Sequence, residues 1–131
     1  MDDFAAVFTE DGILESEGVP EKDAFRNAGR DEIRAWMTRW GRGSKDANPV
    51  HQSTFIRHHL STCQIEFPGP GTARARTYWV AYTDIGPDHC GCYLDAFRKV
   101  GDRWLIAHRK VRMDWSAPES LFTSVVPKLR R

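Results

Sequence analysis

Cysteine is scarce in this 131-residue chain, and the three present, Cys63, Cys90 and Cys92, are odd in number with two of them a single residue apart. No ordinary disulfide framework fits that pattern, which implies a reducing compartment. Long apolar runs are missing too, for no window approaches the ~20 residues of a membrane span. The start, M-D-D-F-A-A-V-F, has neither the basic flank nor the apolar stretch of a secretory signal. The expected protein is soluble and cytoplasmic, with no membrane partner. Charge of one sign is not in excess: 19 Lys and Arg stand against 18 Asp and Glu, a net charge of +1. That balance gives no electrostatic footprint for nucleic acid, and the basic end at Lys128, Arg130 and Arg131 reads as a solvated tail. Gly-rich phosphate loops, G-x-S-x-G and H-E-x-x-H are all absent, so no nucleotide cofactor is implied. H-C-G-C, residues 89–92, puts three N or S ligands in four residues. A zinc site wants four ligands in separated pairs, and no second pair is near. His89 to Cys92 is therefore read as a loop and strand start, and neither a metal nor another cofactor is expected.

What is there is patterned for one α+β domain spanning 1–131. Asp2 or Asp3 can cap a short helix through Phe8, which T-E-D-G (9–12) would end as a turn. Ile13 to Glu15 reads as a brief strand, and Glu17 to Gly29 as a loop with a helical turn around Asp23 to Arg26. A second helix is capped by Asp31 and shows Ile33, Trp36, Met37 and Trp40 on one apolar face. Gly41 to Pro49 is small, charged and turn-forming, a surface loop. The rest reads as β: Thr54 to Phe67, Thr72 to Thr83, Cys92 to Val100 and Trp104 to Asp114, separated by P-G-P-G, D-I-G-P-D and V-G-D-R. This spacing predicts an antiparallel meander of long, bent strands with helices over one face.

The segments F-A-A-V-F-T-E-D-G-I-L-E (4–15), G-R-D-E-I-R-A-W-M (29–37), R-H-H-L-S-T (57–62), A-R-A-R-T-Y-W-V (73–80) and G-D-R-W-L-I-A-H-R-K-V-R-M-D-W (101–115) carry a resemblance. Together they resemble the SnoaL-like proteins of the nuclear transport factor 2 superfamily, in the branch that includes scytalone dehydratase. The resemblance implies a cone: a curved antiparallel sheet packed on N-terminal helices and enclosing a pocket for a hydrophobic small molecule. It also implies a homodimer through the outer sheet face. The Asp and Tyr that dehydratases place in the first helix fall upstream of Met1, so that helix is read as shortened. The dehydratase's second histidine corresponds to Tyr82, and its Ser and Asn to Gly91 and Tyr93.

The family motif places a pocket-facing histidine four residues before Thr62, selecting His58 over His59. A neutral imidazole in an apolar cavity can take a proton from carbon or deliver one to a leaving hydroxyl. Alternation puts Tyr93, Asp95 and Phe97 on one face of their strand, and Arg109, Val111 and Met113 on one face of theirs. If both faces point inward, Asp95 and Arg109 pair across the strands, as a buried carboxylate requires. Tyr82 and Tyr93 are the expected holders of a ligand oxygen. Trp36, Trp40, Val80, Phe97, Val111 and Met113 are the expected walls. Trp79 alternates away from Val80 and Tyr82 and is expected on the outer face, at the dimer interface. The function expected is a cofactor-free dehydratase, isomerase or cyclase with His58, Asp95 and Arg109 as its catalytic set. The alternative is a non-catalytic binding module of the same fold, and Pro118 to Phe122 is a candidate lid.

Overall fold

The computed structural model describes residues 3–39 and 53–121. After a 3-10 turn at Phe4–Val7, the chain forms β1 (Phe8–Glu17), a second 3-10 turn (Glu21–Asp23) and β2 (Arg26–Ala28). Helix α1 (Arg30–Arg39) follows, then β3 (Arg57–Gly69), β4 (Thr72–Thr83), β5 (Gly86–Val100) and β6 (Arg103–Ser116). The six strands form one sheet in the order β2-β1-β6-β5-β4-β3. Every neighbouring pair is antiparallel except β1 with β6, which run parallel.

The long strands and their hairpins follow from local chemistry. Gly101 adopts φ +63° in the V-G-D-R turn between β5 and β6, a region that residues with a Cβ rarely enter. The ladders are not uniform. Register shifts interrupt β3/β4, β4/β5 and β5/β6, and such bulges increase twist and bend the sheet.

Phe8, Leu14, Ile33 and Ile106 form the buried core with Ala5, and Phe25, Trp36, Phe97 and Val111 pack against it. Full burial of a side chain such as Phe8 or Ile33 contributes about 1.5–3 kcal/mol. The core thus lies between α1 and the β1/β6 part of the sheet. Arg30 fixes the start of α1 there by donating to the Phe8 carbonyl through Nε at 2.9 Å and Nη2 at 2.6 Å.

Several local expectations are corrected. The first helix is only the 3-10 turn, capped by Asp3, whose Oδ1 accepts from the Ala5 N–H at 3.0 Å. Thr9 to Gly12 is no turn but part of β1, at the irregularity between Phe8 and Ile13. The turn expected over Asp23 to Arg26 is instead the 3-10 turn ending at Asp23, with β2 beginning at Arg26. Asp31 is not the cap of α1: it sits inside the first turn and accepts from Arg34 at 2.8 Å. Glu32 instead reaches back to the Ala28 N–H at 2.8 Å, satisfying a donor ahead of the helix. Residues 89–92 lie within β5 rather than in a loop. Trp40, Gly41 to Pro49 and Phe122 fall outside the described residues. Among the described residues no helix is long and apolar enough to cross a membrane.

Candidate functional site

In a ladder, directly opposed residues point to the same face and successive residues to opposite faces. The register therefore assigns every side chain of β3 to β6 to the face under α1 or to the far face. Asp95 lies opposite Arg109, and Arg109 opposite the core residue Leu14, which fixes the helix-side face. Counting back along β5, Tyr93, Gly91 and His89 share that face. Gly91 is opposed by Trp79 and Met113, and His89 by Ala81, which is opposed by His58.

His58 and His89 thus meet on the helix-side face. Their ring centroids are 6.2 Å apart, and Trp79 touches both, at 5.4 Å from His58 and 5.6 Å from His89. His58 keeps an exposed surface while its ring packs on these neighbours. Burial, and then the nearby His89, hold its pKa below the ordinary 6.5. His89 is fully buried, at 1% exposure, and its Nδ1 lies 2.7 Å from the Asp88 carboxylate. Burial lowers its pKa more than Asp88 raises it.

Asp88 and His89 are sequence neighbours, which in a regular strand would point apart. Between the pairs Ala81–His89 and Tyr82–Pro87 the register shifts, so Asp88 is an extra residue of β5. The bulge re-aims its carboxylate to the side of His89. Asp88 is completely buried and also accepts from Thr83 Oγ1, Ser120 Oγ and the Leu121 N–H. Burial pushes its carboxyl up, but these hydrogen bonds and that from His89 outweigh it and leave it below 3.8.

Trp79 is 3% exposed and stacks on Tyr93, with centroids 5.6 Å apart and planes at 25°. Gly91 makes room for it: a Cβ there would lie 1.9 Å from the Arg112 carbonyl oxygen and 2.8 Å from the indole. The other side of Tyr93 is covered by the Arg109 guanidinium, 4.2 Å from the ring centroid, a cation–π contact. Arg109 in turn holds Asp95 through two bonds of 2.8 and 2.7 Å. Burial raises the Tyr93 pKa, so its hydroxyl stays a donor at neutral pH. The buried Trp79 Nε1–H has no acceptor among the described residues.

The sequence-derived set is therefore only partly brought together. Asp95 and Arg109 pair, but they lie six residues along β5 from His89, about 20 Å at strand rise, and do not reach His58. Phe97, Val111 and Trp36 pack on the core, Trp36 against Phe25 at 4.5 Å, while Met113 sits opposite Gly91. Val80 and Tyr82 are corrections. Val80 is opposed by His59 and Cys90 on the far face, where the Tyr82 ring lies 4.9 Å from His59. Trp79, expected outside, is the residue that faces in. The inner wall of β4 lies one residue out of phase with the expected one, and such a slip moves every side chain to the other face. His89 and Asp88 were missed. Continuing the alternation Asp95, Tyr93, Gly91 by one step reaches His89; Asp88 depends on the bulge and has no such signal.

The far face differs in character. A groove of about 580 Å³ lies there, floored by Leu94 and Ala96 and rimmed by Glu66, Arg74, Arg76 and Lys110. Cys90 and Cys92 also point to that side, away from His89, so the H-C-G-C residues diverge. No group of three or more His, Cys, Asp and Glu side chains among the described residues is arranged to hold a metal ion.

A profile described as a SnoaL-like domain matches residues 1–110. The chain belongs to the SnoaL-like family. No curated protein matches its sequence. Among solved structures, this SnoaL-like chain is similar to a protein from Novosphingobium aromaticivorans provisionally named a scytalone dehydratase. That likeness has 22% identity and a TM-score of 0.68, covering 98% of this chain and 78% of that one. A Mycobacterium tuberculosis protein of unknown function matches at 25% identity and TM-score 0.62, over 92% of this chain and 64% of its own. A protein from Catenulispora acidiphila in complex with S-DNPA matches at 22% identity and TM-score 0.63, over 85% and 76%. SnoaL-like and related proteins often bind small hydrophobic molecules and include enzymes of dehydratase and isomerase type.

Proposed function

We propose that this SnoaL-like protein is a cofactor-free lyase or isomerase of the dehydratase, isomerase or cyclase type. Its substrate would be a hydrophobic, oxygenated small molecule seated on the helix-side face, in a cytoplasmic protein. The observation that carries the reading is an imidazole with exposed surface, His58, beside a buried aromatic wall with an unmet donor. Trp79 Nε1–H has no acceptor among the described residues, and the Tyr93 ring, which carries a donor hydroxyl, is held between Trp79 and Arg109. A ligand carbonyl oxygen would satisfy such donors, and an unmet buried donor costs about 1–3 kcal/mol.

In a dehydration, His58 takes the proton from the carbon next to that carbonyl. The C–H electron pair becomes the new C=C bond, the C–O bond breaks, and the hydroxyl leaves as water with the proton His58 returns. A hydrogen bond to the carbonyl oxygen stabilises the charge that builds there. Asp95 and Arg109 act at a distance, by holding Tyr93 in place.

The test uses 5-nitrobenzisoxazole, a flat aromatic whose ring opens to a coloured cyanophenolate when a base removes its C3 proton and the N–O bond breaks. The protein is expected to open it faster than free imidazole at the same pH, and His58→Gln to lose about 100-fold or more of that rate. Binding of the probe without acceleration favours the other reading, a ligand-binding module without chemistry.

A homodimer through the far face belongs to the same proposal. It rests on Tyr78 and Trp115, 40% and 37% exposed there, in place of Trp79. Sedimentation should give a dimer that Tyr78→Glu dissociates.

A further inference from the structure

The face under α1 holds two histidines, and they are not equivalent. His58 has exposed surface and no hydrogen-bond partner among the described residues. His89 is buried behind it, with Nδ1 2.7 Å from a carboxylate that the fold has gone to some length to place there. The bulge at Asp88 interrupts the β4/β5 ladder, and Thr83 and two groups of the 117–121 segment hold the carboxylate in one orientation. Such a carboxylate orients an imidazole by accepting from its Nδ1–H, which settles the tautomer, and favours its protonation over that of an unpaired one.

We infer that Asp88, His89 and His58 form a relay in which Asp88 fixes His89 as its Nδ1–H tautomer and His89 takes the first proton, leaving His58 a neutral base toward the ligand. His89 does not touch the ligand in this arrangement. It is a positioning residue that acts through His58, and the inference rests on the reading of His58 given above.

The distance makes the coupling felt. Two positive charges about 6 Å apart repel enough, even in water, to separate their midpoints by about 0.5 pH unit. The other described elements against the pair bring no charge: β4 offers Trp79 and Ala81, β6 offers Ser116, and the following segment offers Ser120 and Leu121. The next charges on this face, Asp95 and the Arg109 opposite it on β6, stand at the ladder position six residues further along β5 than His89 and are paired with each other.

The experiment is a pH titration of the ring nitrogens by 15N NMR in the full chain, without ligand. In the parent, His89 should be the Nδ1–H tautomer at high pH and should take up its proton at higher pH than His58. In His89→Gln the His58 midpoint should rise by about 0.5 unit or more, and in Asp88→Asn it should rise as well. Should Asp88→Asn fail to fold, the parent titration and His89→Gln decide the matter. A His58 midpoint unmoved by His89→Gln, or a His58 that protonates first in the parent, overturns the relay and leaves Asp88 and His89 as a structural pair. The readout is independent of turnover. Coupled titration with no opening of 5-nitrobenzisoxazole would sink the catalytic reading and spare the relay; turnover with uncoupled histidines would do the reverse.

Discussion

Asp95 is almost wholly buried, its side chain 2% exposed, and among the described residues only Arg109 neutralises it. Truncating one partner leaves the other charged and unpaired, so Asp95→Ala or Arg109→Ala should cost about 3–5 kcal/mol in a denaturant titration. Arg109→Lys keeps the charge but loses the two-pronged geometry and the stack on Tyr93, and should fall between the parent and the alanine variant. Gly91→Ala tests the opposite kind of fault. Its methyl group meets a backbone oxygen, so the strand must shift, and overpacking of this kind costs about 1–3 kcal/mol. Near-ultraviolet circular dichroism should change in step, because Trp79 loses its seat. The pair was legible because simple alternation along two strands, with one face assumed buried, brings Asp95 opposite Arg109. The same rule failed at Val80 and Tyr82, since alternation yields two faces and does not say which is inside. Trp79, the largest side chain of that stretch, marks the inner face.

Among the elements, β3 is the least protected. It is one of the two terminal strands of the sheet, runs for 13 residues, and leaves Leu60, Ile65 and Phe67 well exposed. Long edge strands with exposed apolar residues invite pairing with other chains. Ile65→Lys should reduce light scattering on concentration while shifting stability by no more than about 0.5 kcal/mol, because that side chain is already 57% exposed. A fall in stability much beyond that would mean Ile65 is covered in solution. The bounds of β4 could be read from composition and turns alone, since Thr72–Thr83 is a run of β-formers between Gly-containing turns. β1 could not. T-E-D-G is good turn chemistry, and it runs on as strand because the parallel pairing with β6, from the far end of the sequence, holds the chain on either side of it, at Phe8 and from Ile13 onward. β5 begins earlier than its composition suggests, because Gly91 looks like a break when it is a seat for an indole.

At the scale of the whole molecule, the buried titratable groups set how stability varies with pH. His58 and His89 both titrate below 6.5 in the folded chain. The unfolded chain therefore binds protons that the native one refuses, and stability is full above about pH 6.5 and falls as pH drops through the window beneath it. Asp88 adds a second loss further down, because its carboxyl is held below 3.8 and its share of stability disappears as it is protonated. Thermal melts from pH 8 to pH 3 should show both declines, and His89→Gln should flatten the first and also weaken the second, because His89 is one of the groups that hold the Asp88 carboxyl low. The parallel pairing of β1 with β6 has a consequence of another kind, in time rather than energy. Glu15 and His108 are joined across that seam although 93 positions separate them. At translation speeds of about 5–20 residues per second, the first strand waits on the order of 5–20 s for its neighbour to be made. Through that interval Phe8 and Leu14 lack the side of their core that Phe97, Ile106 and Val111 supply, so a nascent chain of this protein is a customer for whatever shields apolar segments at the ribosome.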